Sequence, residues 1–153
     1  MSNVPQLPSQ EIREAIRSLQ RLTDLFRERR RALAREVDLT ETQWRLLEEV
    51  AGEEFMPSLF ARRQECAPSA VSRTLRQLLE RELVAVAISP DDARQRNYRL
   101  TPRGRRTLRR LTALRERAIA AIWRGFSHQE LGEFVRFASA LCEGLESYRR
   151  PER

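Results

Sequence analysis

The stretch from Pro57 to Leu100 restricts the fold more than any other part of this sequence. Pro57 stands where a short helix can open, because proline suits the first helical turn, and Ser58 to about Glu65 follows it. After a short break at Cys66-Ala67, Pro68 repeats the signal. The second helix puts Val71, Leu75, Leu78 and Leu79 on one face and Ser69, Ser72, Arg73, Arg76 and Gln77 towards the other. Two short helices joined by a tight turn, the second led by small polar residues and arginines, make a helix-turn-helix. From Leu83 the composition turns β-type, through Val84-Ala85-Val86-Ala87-Ile88 to Ser89-Pro90. A second extended run, Asn97-Tyr98-Arg99-Leu100, returns to Thr101, and the polar segment from Ser89 to Arg96 lies between the two. The pattern predicts a β-hairpin with a basic tip, a wing.

The flanks predict helices. Over residues 9–37, Ile12, Ala15, Ile16, Leu19, Leu22, Phe26, Leu33 and Val37 recur mostly at three- and four-residue steps. Such a stripe leaves an apolar seam in water unless it packs on something. Thr40 and Gln43 have the spacing of a capping box, with Leu39 and Trp44 as its hydrophobic staple, and the helix they open stops near Gly52. Thr101 and Pro102 open a further helix, which turns apolar at Leu108, Leu111, Leu114, Ile119, Ile122 and Trp123. Ser127 and Glu130 form a second box, stapled by Phe126 and Leu131. The last helix carries Leu131, Phe134, Val135, Ala138, Leu141, Cys142, Leu145 and Tyr148. The expected class is mainly α with a small β-hairpin: a winged helix-turn-helix lobe at about 40–101, between dimerisation helices at about 9–37 and 102–149. All 153 residues form one domain in this reading. A two-fold homodimer would bury both stripes.

Charge is concentrated rather than spread. The net +7 arises entirely between Pro68 and Arg110, where eleven arginines face four acids. Elsewhere eighteen arginines balance eighteen acids. A local excess of this kind implies a polyanion partner, and double-stranded DNA suits a helix-turn-helix. An ordinary solvated face is the bland alternative. No apolar run approaches the roughly 18 residues of a membrane span, so no membrane partner is expected. The N-terminus lacks a basic flank and an apolar core, and the two cysteines, Cys66 and Cys142, are too few for a disulfide scaffold. A cytoplasmic location is the expectation.

On the second short helix, arginine offers a planar fork for guanine O6 and N7, and glutamine can pair with adenine. Ser69, Ser72, Arg73, Arg76 and Gln77 are therefore the candidate DNA-reading residues, with phosphate contact as the alternative for each. Arg96 joins them from the wing, while Arg103, Arg105 and Arg106 are expected to meet phosphates or solvent. Trp44 with Phe26 and Arg30 offers an apolar wall and a cation for a small aromatic carboxylate, although Trp44 also reads as staple and core. Cys66 beside a helix start is a candidate redox thiol or a small buried side chain, and Cys142 reads as core or interface. Glu48-Glu49 and Glu53-Glu54 read as solvated surface, and His128 as the first residue of a capped helix. One histidine and two distant cysteines have no metal-ligand spacing, and no Gly-rich phosphate loop or nucleophile elbow is present. Neither an enzyme nor a cofactor is expected.

Several of these runs together resemble the MarR family of bacterial transcription regulators. The likeness is carried by Leu39-Thr40-Glu41-Thr42-Gln43-Trp44-Arg45-Leu46-Leu47, by Pro68-Ser69-Ala70-Val71-Ser72-Arg73 with Leu78, Leu83 and Val84, and above all by the wing. There, Asp92-Ala93-Arg94 is followed by Leu100-Thr101-Pro102-Arg103-Gly104. The first run is also similar to repressors of aromatic-acid catabolism. The resemblance implies that Arg94 inserts into the minor groove, held by Asp92 two residues earlier. It further implies a repressor on a pseudo-palindromic operator, released by a small aromatic or phenolic effector. An architectural DNA binder and a cysteine-based redox regulator of the same fold are the alternatives. The family commonly has glycine after the recognition helix, where this chain has Glu82. If that position is left-handed, a non-glycine residue costs on the order of 1 kcal/mol and alters the local turn.

Overall fold

The computed structural model describes residues 9–52, 55–88 and 96–149. Ser9 opens α1 (Gln10–Arg35) by accepting a hydrogen bond from the Ile12 backbone N–H at 3.3 Å. Only Leu33 and Ala34, at its C-terminal end, are buried, and Ile12, Ile16, Leu22, Leu25 and Phe26 stand exposed. Thr40 caps α2 (Glu41–Val50) with both halves of the expected capping box present. The proline-opened pair follows as α3 (Pro57–Arg63) and α4 (Pro68–Glu80). β1 (Val84–Ile88) pairs antiparallel with β2 (Arg96–Leu100), Val84 opposite Leu100 and Ile88 opposite Arg96. α5 (Pro102–Trp123) and α6 (His128–Arg149) complete the chain. The winged helix-turn-helix is thus present with its expected elements, mostly displaced by one or two residues at their ends. No helix among the described residues is long and apolar enough to cross a membrane.

By its internal packing the chain divides into two compact units, Met1–Leu114 and Arg115–Arg153. In the first, α4 packs on α2, α3 and β1, while α1 and β2 pack on α2. Trp44, Leu46, Leu47, Leu78 and Leu111 are its largest fully buried side chains, so α2 and the middle of α4 form the centre of the core. Trp44 therefore fills the core role that its staple position predicts. At the rim, Phe55 meets Tyr98 edge-on at 5.8 Å and Phe60 at 6.3 Å, which closes the strand side of the lobe. In the second unit α6 begins at its capping box: Glu130 accepts from the Ser127 backbone N–H at 2.8 Å, and Ser127 Oγ accepts from the Glu130 N–H at 3.2 Å. The expected staple is looser than its spacing implies, since Phe126 is exposed and its ring tilts against Trp123 at 6.0 Å.

Three helices end on a left-handed residue that is not glycine: Asp38 (φ 57°), Glu65 (φ 49°) and Glu82 (φ 56°). Each ending has the same hydrogen-bond pattern. After α4, the Glu82 N–H donates to Leu79 O and the Leu83 N–H to Leu78 O, both at 2.9 Å. After α1 the Asp38 and Leu39 N–H groups do likewise to Arg35 and Ala34, and after α3 Glu65 and Cys66 to Arg62 and Ala61. These are Schellman turns, in which glycine ordinarily occupies the left-handed place. The position after α4, held by Glu82, is thus left-handed.

Candidate nucleic-acid interface

Two faces of α4 are sharply divided. Val71, Thr74, Leu75 and Leu78 are buried, whereas Ser69, Ser72, Arg73, Arg76 and Gln77 are all exposed. The helix brings the five predicted residues to one side because they recur at i, i+3, i+4, i+7 and i+8, the spacing that shares a face at 3.6 residues per turn. Thr74, unforeseen in the sequence pattern, is buried with its hydroxyl donating to Ala70 O at 3.0 Å, which satisfies it within its own helix. Among the described residues neither Arg73 nor Arg76 has an acidic partner. The helix therefore presents two uncompensated cations and three neutral hydrogen-bonding groups to solvent.

Two ties hold α4 against the junction of α1 and α2. Buried Gln43 donates from Nε2 to Gln77 Oε1 at 3.0 Å while its own Oε1 accepts from the Thr40 N–H at 3.0 Å. Arg81, just past the end of α4, donates from Nη1 to the carbonyl of Asp38. α3 is braced in turn by Arg63, which pairs with Glu49 at 2.6 Å, and by Gln64, which accepts from Arg45 at 3.0 Å. Gln43 was legible as a cap, but its bond to a residue 34 positions away leaves no local signal.

The root of the wing is joined to the end of α4 through Thr101. Its hydroxyl donates to Glu82 O at 2.6 Å and accepts from the Gly104 N–H at 2.9 Å. Its backbone N–H donates to Leu83 O at 3.1 Å. A Cβ on Gly104 would collide with that same Leu83 carbonyl, so only glycine lets the first turn of α5 lie this close. The Leu-Thr-x-x-Gly run is thus the joint that sets how the hairpin leaves α4. Arg96 and Arg99 are exposed on β2. Arg94 and Asp92, expected at the wing tip, lie outside the described residues. Arg103 and Arg106 are exposed at the start of α5, but Arg105 donates to Leu100 O at 2.9 Å and helps fasten α5 to β2. Arg109 and Arg110, which sequence reasoning passed over, are exposed further along.

Of the three residues expected around a small ligand, Arg30 and Trp44 meet. The guanidinium lies over the indole at 4.3 Å from the ring centroid, and its Nη2 donates to Glu48 at 2.9 Å. Glu41 approaches Arg30 Nε at 3.6 Å without a hydrogen bond. Trp44 Nε1 is buried with no acceptor within the chain among the described residues. Phe26 stands one turn earlier on α1 and is exposed. Glu48 and Glu49 are not the free surface acids their sequence context indicates, since each is half-buried and paired with an arginine. Cys66 is half-buried against the core, and Cys142 is exposed.

Comparison with known proteins places this geometry. Residues 37–95 match the sequence model of the MarR family. The structure of a MarR family transcription regulator is similar with a TM-score of 0.81 at 20% identity, over 90% of this chain and 92% of that one. A Staphylococcus aureus MarR in complex with salicylate and kanamycin gives 0.69 at 19% identity, over 88% and 92%. The Staphylococcus aureus MepR–DNA complex gives 0.65 at 15% identity, over 83% and 93%. A comparison with curated protein sequences finds no match. The chain has the winged-helix fold of MarR-family structures, and its helix-turn-helix and first wing strand carry that family's sequence pattern.

Proposed function

We propose that this chain is a sequence-specific transcription regulator that binds duplex DNA as a homodimer and represses until a small aromatic effector releases it. The observation that carries the reading is the exposed face of α4, where Arg73 and Arg76 stand without acidic partners among the described residues. In this reading α4 enters the major groove. Arg73 and Arg76 donate in pairs to guanine, and Ser69 and Ser72 contact the backbone or base edges. The wing runs beside the adjacent minor groove, with Arg96 at the far end of the strand pairing and Arg94 beyond it towards the tip, where Asp92 orients it. Arg103 and Arg106 meet phosphates, which bind any sequence alike. A relative of this fold has been seen bound to DNA and another with salicylate, which is the company such a reading predicts.

Dimerisation follows from what the fold leaves uncovered. Phe134, Val135, Phe137, Leu145 and Tyr148 of α6 are exposed, as are Ile12, Ile16, Leu22 and Leu25 of α1. Apolar surface in this quantity on both terminal helices is what a self-complementary interface buries. For the effector, exposed Phe26 supplies an aromatic wall and Arg30 the cation, while Trp44, buried beneath the guanidinium, supports Arg30 from the core. A carboxylate arriving there must displace Glu48 from Arg30, so binding would loosen the α1–α2 contact from which α4 is braced. This fits a ligand of the aromatic-acid class.

The test is binding to a short palindromic duplex against a scrambled one over a salt series. A regulator prefers its own site by a factor of about 1,000 or more. Equal affinity for both duplexes, with the same salt slope, would instead identify an architectural binder.

A further inference from the structure

The Thr40 backbone N–H can only donate, and it meets the Gln43 carboxamide at 3.0 Å. The atom it meets is therefore the amide oxygen, which leaves the Gln43 NH₂ at the other end. That NH₂ can only donate as well, and it meets Gln77 at 3.0 Å, so the Gln77 oxygen must face it. Orientation thus passes from a backbone N–H through two carboxamides, and the chain of bonds ends on Gln77 Nε2. Gln43 is buried, Gln77 is exposed on the third turn of α4, and among the described residues no acceptor meets Gln77 Nε2.

Pairing of glutamine with adenine needs the oxygen and the NH₂ together, one towards N6 and one towards N7. With its oxygen held by Gln43, Gln77 offers DNA a donor. Guanine, with adjacent acceptors O6 and N7, suits a donor, whereas adenine opposes it with the N6 amino group. We infer that Gln43 is a specificity-determining residue: it locks the Gln77 carboxamide so that the recognition helix favours guanine over adenine at one base pair per half-site. The inference rests on α4 entering the major groove, as proposed above. It replaces the adenine pairing that the glutamine side chain alone implies.

Gln43→Glu separates orientation from stability. Glutamate at this place keeps the capping box, so α2 still starts at Thr40. A carboxylate has no proton to donate, however, and Gln77 must turn its NH₂ inward and its oxygen outward. An outward oxygen accepts from adenine N6 or cytosine N4. Gln77→Glu presents an acceptor to the DNA whatever Gln43 does. Because residue 77 is exposed, that variant also serves if Gln43→Glu fails to fold, which thermal unfolding would reveal.

The experiment selects bound duplexes from a randomised pool with the wild type and both variants, and reads base preference at every position. The wild type favours guanine at the affected position. Gln43→Glu and Gln77→Glu both shift preference there from guanine to adenine or cytosine by about tenfold, and every other position is unchanged. Adenine preferred by the wild type, an unaltered preference in Gln43→Glu, or no base change in Gln77→Glu overturns the inference. In each of those cases selection of one palindromic site by the wild type leaves α4 standing as the reading helix. If the wild type selects no sequence at all, it is the sequence-reading role that fails, and the orientation rule falls with it.

Discussion

Glu82 holds a conformation that glycine would hold at less cost, with φ at 56° and both Schellman hydrogen bonds made across it. Its side chain returns little, because the 3.9 Å approach to Arg103 joins two exposed groups. Glu82→Gly is therefore expected to stabilise the fold by about 1 kcal/mol, read as a higher denaturant midpoint with an unchanged slope. An unchanged or lower midpoint would mean that the side chain contributes more than its exposed ion pair indicates. Gly104 is the opposite case, since an added methyl group meets the rigid Leu83 carbonyl rather than a side chain that can move. Gly104→Ala should cost about 1–3 kcal/mol in the same measurement. These two residues sit on either side of Thr101, so both substitutions act on the joint between recognition helix and wing.

At the scale of elements, the helix starts were the most legible part of the sequence. Thr40 with Gln43 and Ser127 with Glu130 carry both halves of each signal within four residues, and the prolines at 57, 68 and 102 stand in the first helical turn. Helix ends were harder to see, because Asp38 and Glu65 occupy left-handed places with no glycine to mark them. Glu82 was suspected only through a family pattern. Long-range ties such as Arg81 to Asp38 and Gln43 to Gln77 have no local signature, and the bond from Arg105 to the Leu100 carbonyl five residues back departs from the expectation that Arg105 meets phosphates or solvent. The capping of α6 also makes a pH prediction. Hydrogen bonds from the Ser127 backbone N–H, then from its hydroxyl, hold the Glu130 carboxyl below the ordinary glutamate range. A lowered folded-state pKa means stability that is present above the unfolded value and lost as pH falls through the folded one. A ¹³C titration of Glu130 should therefore show a midpoint below that of a glutamate in a disordered peptide, and Ser127→Ala should move it back up. Equal midpoints in the two proteins would remove the cap from the account.

At the scale of the molecule, charge is balanced outside residues 68–110, and the net +7 lies within the segment that runs from α4 to the start of α5. Most of the exposed apolar residues lie on other elements, along α1, the second half of α5 and α6, although Val86 on β1 and Leu59 on α3 are exposed as well. Sedimentation equilibrium at micromolar concentration is expected to give twice the chain mass, and charge placed at Phe137 and Leu145 should halve it. A folded monomer for the wild type at that concentration would contradict the dimer. Whether the exposed face of α4 reads bases is decided by Arg73→Ala on a set of operator variants. A base-reading Arg73 gives a loss of about 1–3 kcal/mol on the preferred operator, with discrimination relaxed at one base pair in each half-site. Variants already altered at that base pair should lose little more, and the salt slope should barely change. Equal weakening on every sequence, with a slope lowered by about one, would show that Arg73 only grips phosphate and that α4 positions the protein without reading the DNA.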